Sequence, residues 1–193
     1  MNGRIVGVLL AAGRGERFGG DKLLAPLLAG PDAGVAVGVA ACRSLRAVLG
    51  EVIAVVRPGD PPLVAALVGA GARIVVAASA DDGMGASLAA GIAAADGADG
   101  FVVALADMPW VAPATIRLVV EALRGGASIA APRYLGKRGH PVAFAAAHRG
   151  ELAALSGDVG ARAIVEAHAS FVTFIEVADA GILADVDVPE DLG

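Results

Sequence analysis

The chain begins with an apolar run that passes straight into a glycine-rich, cationic loop: Ile5-Val-Gly-Val-Leu-Leu-Ala-Ala-Gly-Arg-Gly-Glu-Arg-Phe-Gly-Gly-Asp-Lys22. A strand that is apolar along its whole length is buried on both faces, and such strands belong to parallel sheets covered by helices. Ligands of those sheets bind beyond the carboxyl ends of the strands, where this loop would lie. Glycines let backbone N–H groups approach an anion, and Arg14, Arg17 and Lys22 would neutralise it. The stretch reads as a triphosphate cradle. Two other phosphate motifs fit less well. A dinucleotide fingerprint wants an acid closing the second strand, but Val56 is followed by Arg57-Pro58-Gly59-Asp60. A Walker loop needs Gly-Lys-Ser/Thr, and the chain has Asp21-Lys22-Leu23. A plain tight turn with surface cations is the remaining alternative.

Further apolar runs predict strands at Val52–Val56, Arg73–Val76, Phe101–Leu105, Ser128–Ala130 and Phe171–Glu176. Helices are expected at about 35–49, 61–70, 85–95, 113–124, 145–155 and 160–168. In the fourth of these, Pro113 suits a helix start, Ile116, Val119, Val120 and Leu123 share a face, and Gly125-Gly126 would end it. Asp158 and Gly160 stand where a cap of the last helix would. The alternation predicts one α/β domain over residues 1–193, three-layered, with a mostly parallel sheet. Residues 134–144 read as a substrate loop running into a short extra strand.

Composition narrows the partners. Hydrophobic residues reach 56%, but much of this is alanine, and no stretch reads as a membrane span. A net charge of −5 argues against nucleic acid, and the cations gather at residues 14–22 and 133–138, as a small anionic ligand would require. Cys42 is the single cysteine, which excludes an intrachain disulfide and fits a reducing cytoplasm. Arg4 before an apolar run mimics a signal peptide, but charges arrive at once and no cleavage site follows. The expected location is therefore cytoplasmic.

Four further stretches carry chemistry. Asp107 ends the apolar run Val-Val-Ala-Leu-Ala, where an unpartnered acid is costly and Mg²⁺ is a natural partner; the alternative is a helix cap before Pro113, although six residues is far for that. Asp185-Val-Asp187-Val-Pro-Glu-Asp191 is either an acidic ligand set or a capped helix start with solvated acids. Gly83-Met-Gly-Ala-Ser87 precedes a helix and offers donors to a base, ribose or phosphate, or else Ser87 simply caps it. Gly136-Lys-Arg-Gly-His140-Pro141 is a cationic loop beside a titratable ring, suited to a second anionic substrate. His148 and His168 read as surface or core residues, since no His, Asp or Glu spacing suggests zinc.

Taken in order, these pieces resemble the molybdenum cofactor cytidylyltransferases of the MocA/MobA-like NTP transferase family. The matching stretches are Leu10-Ala-Ala-Gly-x-Gly-x-Arg17-Phe-Gly-x-x-Lys22, Gly83-Met-x-x-Ser87-Leu, Leu105-Ala-Asp107-Met-Pro, Gly136-Lys-Arg-Gly-His140-Pro-Val, Gly157-Asp158-x-Gly-Ala-Arg162 and Asp185-Val-Asp187-x-Pro-Glu-Asp191-Leu. The resemblance implies a nucleotide-diphospho-sugar transferase fold, GT-A-like and Rossmann-like. It implies transfer of CMP from CTP to the phosphate of molybdopterin cofactor, with pyrophosphate released. Arg17, Lys22 and Asp107 would be catalytic, and Asp107 and Asp187 would hold Mg²⁺. Leu10, Ala11, Ala12, Gly13, Arg14, Gly15, Arg17, Lys22, Gly83 and Ser87 would bind the nucleotide. Arg138, Gly139, His140 and Pro141 would face the acceptor. Leu-Ala-Ala-Gly resembles the cytidylyl branch, while Asp21-Lys22 also occurs in the guanylyl branch, so GTP stays open. So do a sugar phosphate or other phosphorylated acceptor, and a cofactor carrier without turnover. A molybdoenzyme or its chaperone is the implied transient partner.

Overall fold

The structure is a computed structural model that describes residues 3–78 and 80–193. Its first half is the predicted alternation: β1 (Ile5–Ala11), α1 (Val37–Arg46), β2 (Glu51–Val56), α2 (Pro61–Gly69), β3 (Arg73–Val76), α3 (Met84–Ala94), β4 (Gly100–Leu105) and α4 (Pro113–Arg124). β1 lies between β2 and β4, parallel to both, and β2 pairs parallel with β3. Beyond β3 the chain crosses back through α3, so β4 lands on the far side of β1. The crevice of this strand reversal opens at the carboxyl ends of β1 and β4. The glycine loop leaves the first, and Asp107 follows the second.

The second half departs from the simple alternation. β5 (Ile129–Tyr134) turns at Leu135-Gly136, both with positive φ, and returns as β6 (Lys137–Arg138) and β7 (Val142–Ala145). Two consecutive left-handed residues match the twist of a tight hairpin. β7 inserts antiparallel between β4 and β5. The register slips by two residues between β6 and β7: Gly139 N still donates to Pro132 O at 3.0 Å, and His140-Pro141 then bulges out before β7 resumes the ladder. The expected substrate loop is thus a bulge in a paired strand. α5 (Arg149–Ala153) and α6 (Arg162–Ala167) are shorter than predicted, and β8 (Val172–Glu176) pairs parallel with β5 at the edge.

Side chains alternate across the sheet, as strand geometry requires. Leu9, Ala11, Val52, Ala54 and Val102 face Leu45, Leu63, Leu67 and Ile116 on one side. Val6, Val8, Ile53, Val55, Phe101 and Phe144 face Leu88, Ile92, Leu152 and Ile164 on the other. α4 buries the predicted Ile116, Val119, Val120 and Leu123. Its start is tied from a distance: Asp179 Oδ2 accepts from Ala112 N at 3.0 Å and Thr115 Oγ1 at 2.6 Å. Among the described residues no helix is long and apolar enough to cross a membrane.

Candidate active site

A cavity of 330 Å³ occupies the crevice, walled by Leu10, Ala11, Ala12, Gly13, Arg14 and Lys22 on the glycine-loop side. Gly83, Met84, Ser87 and Asp158 line the opposite wall, and Asp107 lies at its end. The volume suits a small-molecule ligand. The loop depends on Gly15, whose φ is +61° and whose Cβ would lie 3.0 Å from Gly20 O. Its carbonyl accepts from Phe18 N at 3.0 Å and Gly19 N at 3.2 Å, closing a tight turn. The chain then makes a 3₁₀ turn at Lys22–Leu24, which aims Lys22 inward.

Lys22 gathers the site. Its Nζ donates to Asp107 Oδ2 at 2.8 Å, to Val186 O at 2.8 Å and to Asp187 Oδ1 at 3.5 Å. Arg17 Nη1 reaches the other oxygen of Asp187 at 2.8 Å. The Lys22 side chain is only 11% exposed, against 79% for Arg17, so the inner pair is the stronger one. Asp107 is held by the turn after β4, where Ala106 N bonds Leu10 O at 3.0 Å. Asp187 arrives on the returning C-terminal segment, whose Val186 N bonds Asp107 O at 2.8 Å. Asp191 braces that segment by accepting from Asp187 N and Val188 N, both at 2.9 Å. The Val188 N–H, and then the Asp187 N–H, hold its carboxyl below the usual range. Within the acidic cluster Asp191 caps the turn, Asp185 is exposed, and Asp187 lies against Lys22 and Arg17.

Two carboxylates sharing one ammonium form a hard oxygen donor pair. Such a pair fits Mg²⁺ or Mn²⁺, which takes one or two carboxylates and completes its shell from phosphate and water.

The opposite wall removes one alternative, the Ser87 cap, and corrects one expectation, the Asp158 cap. Gly83, with φ +105°, is the N-cap of α3, and Ser87 lies inside the helix, its hydroxyl 3.4 Å from Gly83 O. Ser87 thus lines the cavity without capping. Asp158 does not cap the last helix either. The cap position of α6 is Ala161, which makes no side-chain bond, while Asp158 turns into the cavity. Gly85 N donates to Gly157 O at 2.8 Å. A Cβ on Gly85 would fall 2.5 Å from Val159 O, so only glycines let segment 156–160 close onto α3. The juxtaposed Gly83-x-Gly85 and Gly157-Asp158-x-Gly160 were the sequence signal for this contact.

The bulge at His140-Pro141 lies near Asp107, whose charge reaches the His140 ring. Gly139 packs on Ile182, and His140 N donates to Ile182 O at 3.0 Å. The His140–Pro141 bond is cis. His140 Nδ1 is buried without a hydrogen-bond partner. Burial, and then the Arg138 charge, press the His140 pKa down to about 4, while Asp107 acts in the opposite sense. The ring is neutral near pH 7. Pro141 faces a separate small hollow with Met108 and Ile116. The second cation cluster is divided: Arg133 pairs with Glu176 at 2.5 Å and lies over Phe174, leaving Arg138 beside His140.

Residues 7–171 match the family described as MobA-like NTP transferase domain. The chain is 36% identical to the nicotine blue oxidoreductase of Paenarthrobacter nicotinovorans, over 97% of this chain and 94% of that one. Rv0371c from Mycobacterium tuberculosis H37Rv is 32% identical, with a TM-score of 0.81 over 99% of this chain and 96% of its own, and has also been solved in complex with manganese. A nucleotidyl transferase from Methanothermobacter thermautotroptrophicus is 27% identical, with a TM-score of 0.80 over 99% of this chain and 94% of its own. With the glycine loop and the paired acids in one crevice, this chain belongs to the MobA-like NTP transferase family and has the nucleotide-diphospho-sugar transferase fold.

Proposed function

We propose that this protein transfers CMP from CTP to the phosphate of molybdenum cofactor, in the cytoplasm, with Mg²⁺ as its cation. The observation that carries the proposal is the Lys22–Asp107–Asp187–Arg17 network at the end of the glycine-loop cavity. The triphosphate lies along the loop N–H groups, with Lys22 and Arg17 neutralising it. Asp107 and Asp187 would hold the Mg²⁺, which supplies charge neutralisation at the α-phosphate and the departing pyrophosphate. An oxygen of the acceptor phosphate attacks the α-phosphorus, and the bond to the β-phosphate oxygen breaks. No side-chain nucleophile is needed, because the acceptor is already anionic and catalysis rests on positioning and charge. Arg138 and neutral His140 stand on the acceptor side. Asp158 adds an acceptor-only carboxylate to the cavity wall, which favours an amino-bearing base such as cytosine over uracil.

Two observations keep alternatives in the test. Asp21-Lys22 is shared with guanylyl transfer, so GTP belongs in the screen. The name of the 36% identical relative suggests electron transfer, for which the same cavity would hold a reduced dinucleotide. Against that, β2 ends at Val56 and is followed by Arg57, with no acid to take the ribose hydroxyls. The experiment is a screen of CTP, GTP, ATP and UTP with Mg²⁺ and molybdenum cofactor, scoring pyrophosphate and the nucleotidylated product. Product from CTP is expected. Product from GTP alone overturns the choice of base, and a sugar phosphate accepted in place of the cofactor overturns the acceptor. Oxidation of a reduced dinucleotide with no pyrophosphate released overturns nucleotidyl transfer itself. Nucleotide and cofactor binding without turnover would make the protein a carrier.

A further inference from the structure

We infer that His148, Glu151 and His168 form a second, structural site for a zinc-class divalent cation, clamping both feet of the loop that carries Asp158 into the nucleotide cavity. His148 ends the 3₁₀ turn after β7, Glu151 lies on α5, and His168 follows α6. One ligand atom from each lies within 4.8 Å of the others. His148 Nδ1 is 3.0 Å from Glu151 Oε1, and His168 Nε2 is 2.8 Å from Glu151 Oε2. The two imidazoles meet edge to face, 4.8 Å apart between ring centres. Two imidazoles and one carboxylate are a donor set that zinc accepts, with water completing the shell. Glu151 and His168 are part-exposed, so that side is open to water.

The outer contact supports this assignment. His148 is 5% exposed, and its other nitrogen, Nε2, lies 2.8 Å from Ser128 Oγ. Metal-binding histidines characteristically donate their second N–H to such a partner, which fixes the tautomer and turns the free nitrogen toward the ion. In the tautomer that gives Nε2–H to Ser128, the lone pair of Nδ1 faces Glu151 Oε1, which is the orientation a cation shared by the two would require. The site is far from the catalytic acids: β7 ends at Ala145, opposite Gly100 at the start of β4, whereas Asp107 follows the end of that strand.

Its position suggests what the cation does. Between Glu151 and His168 the chain runs out to Ser156–Gly160 at the wall of the cavity and back. α5 and α6 have five and six residues, too short to hold themselves. Closing the base of this excursion restricts its open states and keeps the Asp158 segment against α3.

The test uses the full chain, stripped with chelator and titrated with Zn²⁺ or Co²⁺ in excess Mg²⁺. About one Zn²⁺ per chain should remain after gel filtration, and Co²⁺ should give a visible d–d band. His168→Ala and Glu151→Gln should each weaken binding at least tenfold, and Ser128→Ala by about 10–100-fold. Asp107→Asn should leave this binding unchanged, which separates it from the catalytic acids. Zn²⁺ should raise the melting temperature of the wild type and not of the variants. Far-UV circular dichroism of the metal-free proteins shows whether each variant is folded, and Glu151→Gln, at a part-exposed position, is the conservative one. Equal Zn²⁺ binding in wild type and Glu151→Gln, or none in the wild type, overturns the inference and leaves a hydrogen-bonded clasp. Metal stoichiometry does not depend on which nucleotide or acceptor the enzyme uses.

Discussion

At the scale of single residues, Lys22 is the pivot. It is the most buried member of the four-residue network and touches both of its acids, Asp107 and Asp187. For the proposed reaction, Lys22→Ala would remove a preorganised cation from where negative charge develops, and typical losses for such donors are about 10²–10³ in rate. Initial rates across a CTP titration should show that drop, and unchanged kinetics would remove Lys22 from the cradle. His140 gives a pH prediction. Its folded pKa is about 4 against an ordinary 6.5, so between those values the unfolded chain binds more protons. Stability therefore falls as pH drops through that window, and the loss is complete below it. Urea midpoints at pH 7 and pH 4.5 should differ more for the wild type than for His140→Gln, and equal differences would contradict the buried neutral ring. The sequence singled out Arg17, Lys22, Asp107 and Asp187, and the structure brings the four side chains together; their parts in the reaction remain the proposal. Asp158 was read as a cap because sequence adjacency to α6 hides its contact with α3.

At the scale of elements, the closure of α3 against segment 156–160 decides how the cavity is shaped. Gly85→Ala would push a Cβ to 2.8 Å from Ser156 O and closer to Val159 O. Overpacking of this kind costs about 1–3 kcal/mol. Gly69, at the end of α2, has open space around its missing Cβ, so Gly69→Ala should stabilise by about 0.4–1 kcal/mol through the unfolded chain. Denaturant midpoints test the pair, and a neutral Gly85→Ala would mean that the two segments part easily. β1 to β4 were legible because their apolar runs are continuous. The antiparallel place of β7 was not, because a strand's partner is chosen by long-range packing. The break between the helices expected at 145–155 and 160–168 was legible at Asp158 and Gly160, but not their shortening, which follows from the 3₁₀ turn after β7 and from the closure of Ser156–Gly160 onto α3. The meeting of His148 with His168 was hidden because it depends on how the chain returns from that closure.

At the scale of the molecule, the strand reversal beside β1 explains why distant parts of the chain converge. Arg17 and Asp187 are 170 positions apart and bond at 2.8 Å, because the C-terminal segment returns across the carboxyl end of β4. A chain of net charge −5 thereby concentrates cations where a triphosphate would lie. The measurement that bears most directly on this arrangement is pyrophosphate release from CTP with Mg²⁺ and molybdenum cofactor, wild type against Asp107→Asn. Release by the wild type, with a loss of about 10²–10³ in the folded variant, is the predicted result. Equal release from both proteins would contradict it, because the acid pair would then take no part in the transfer.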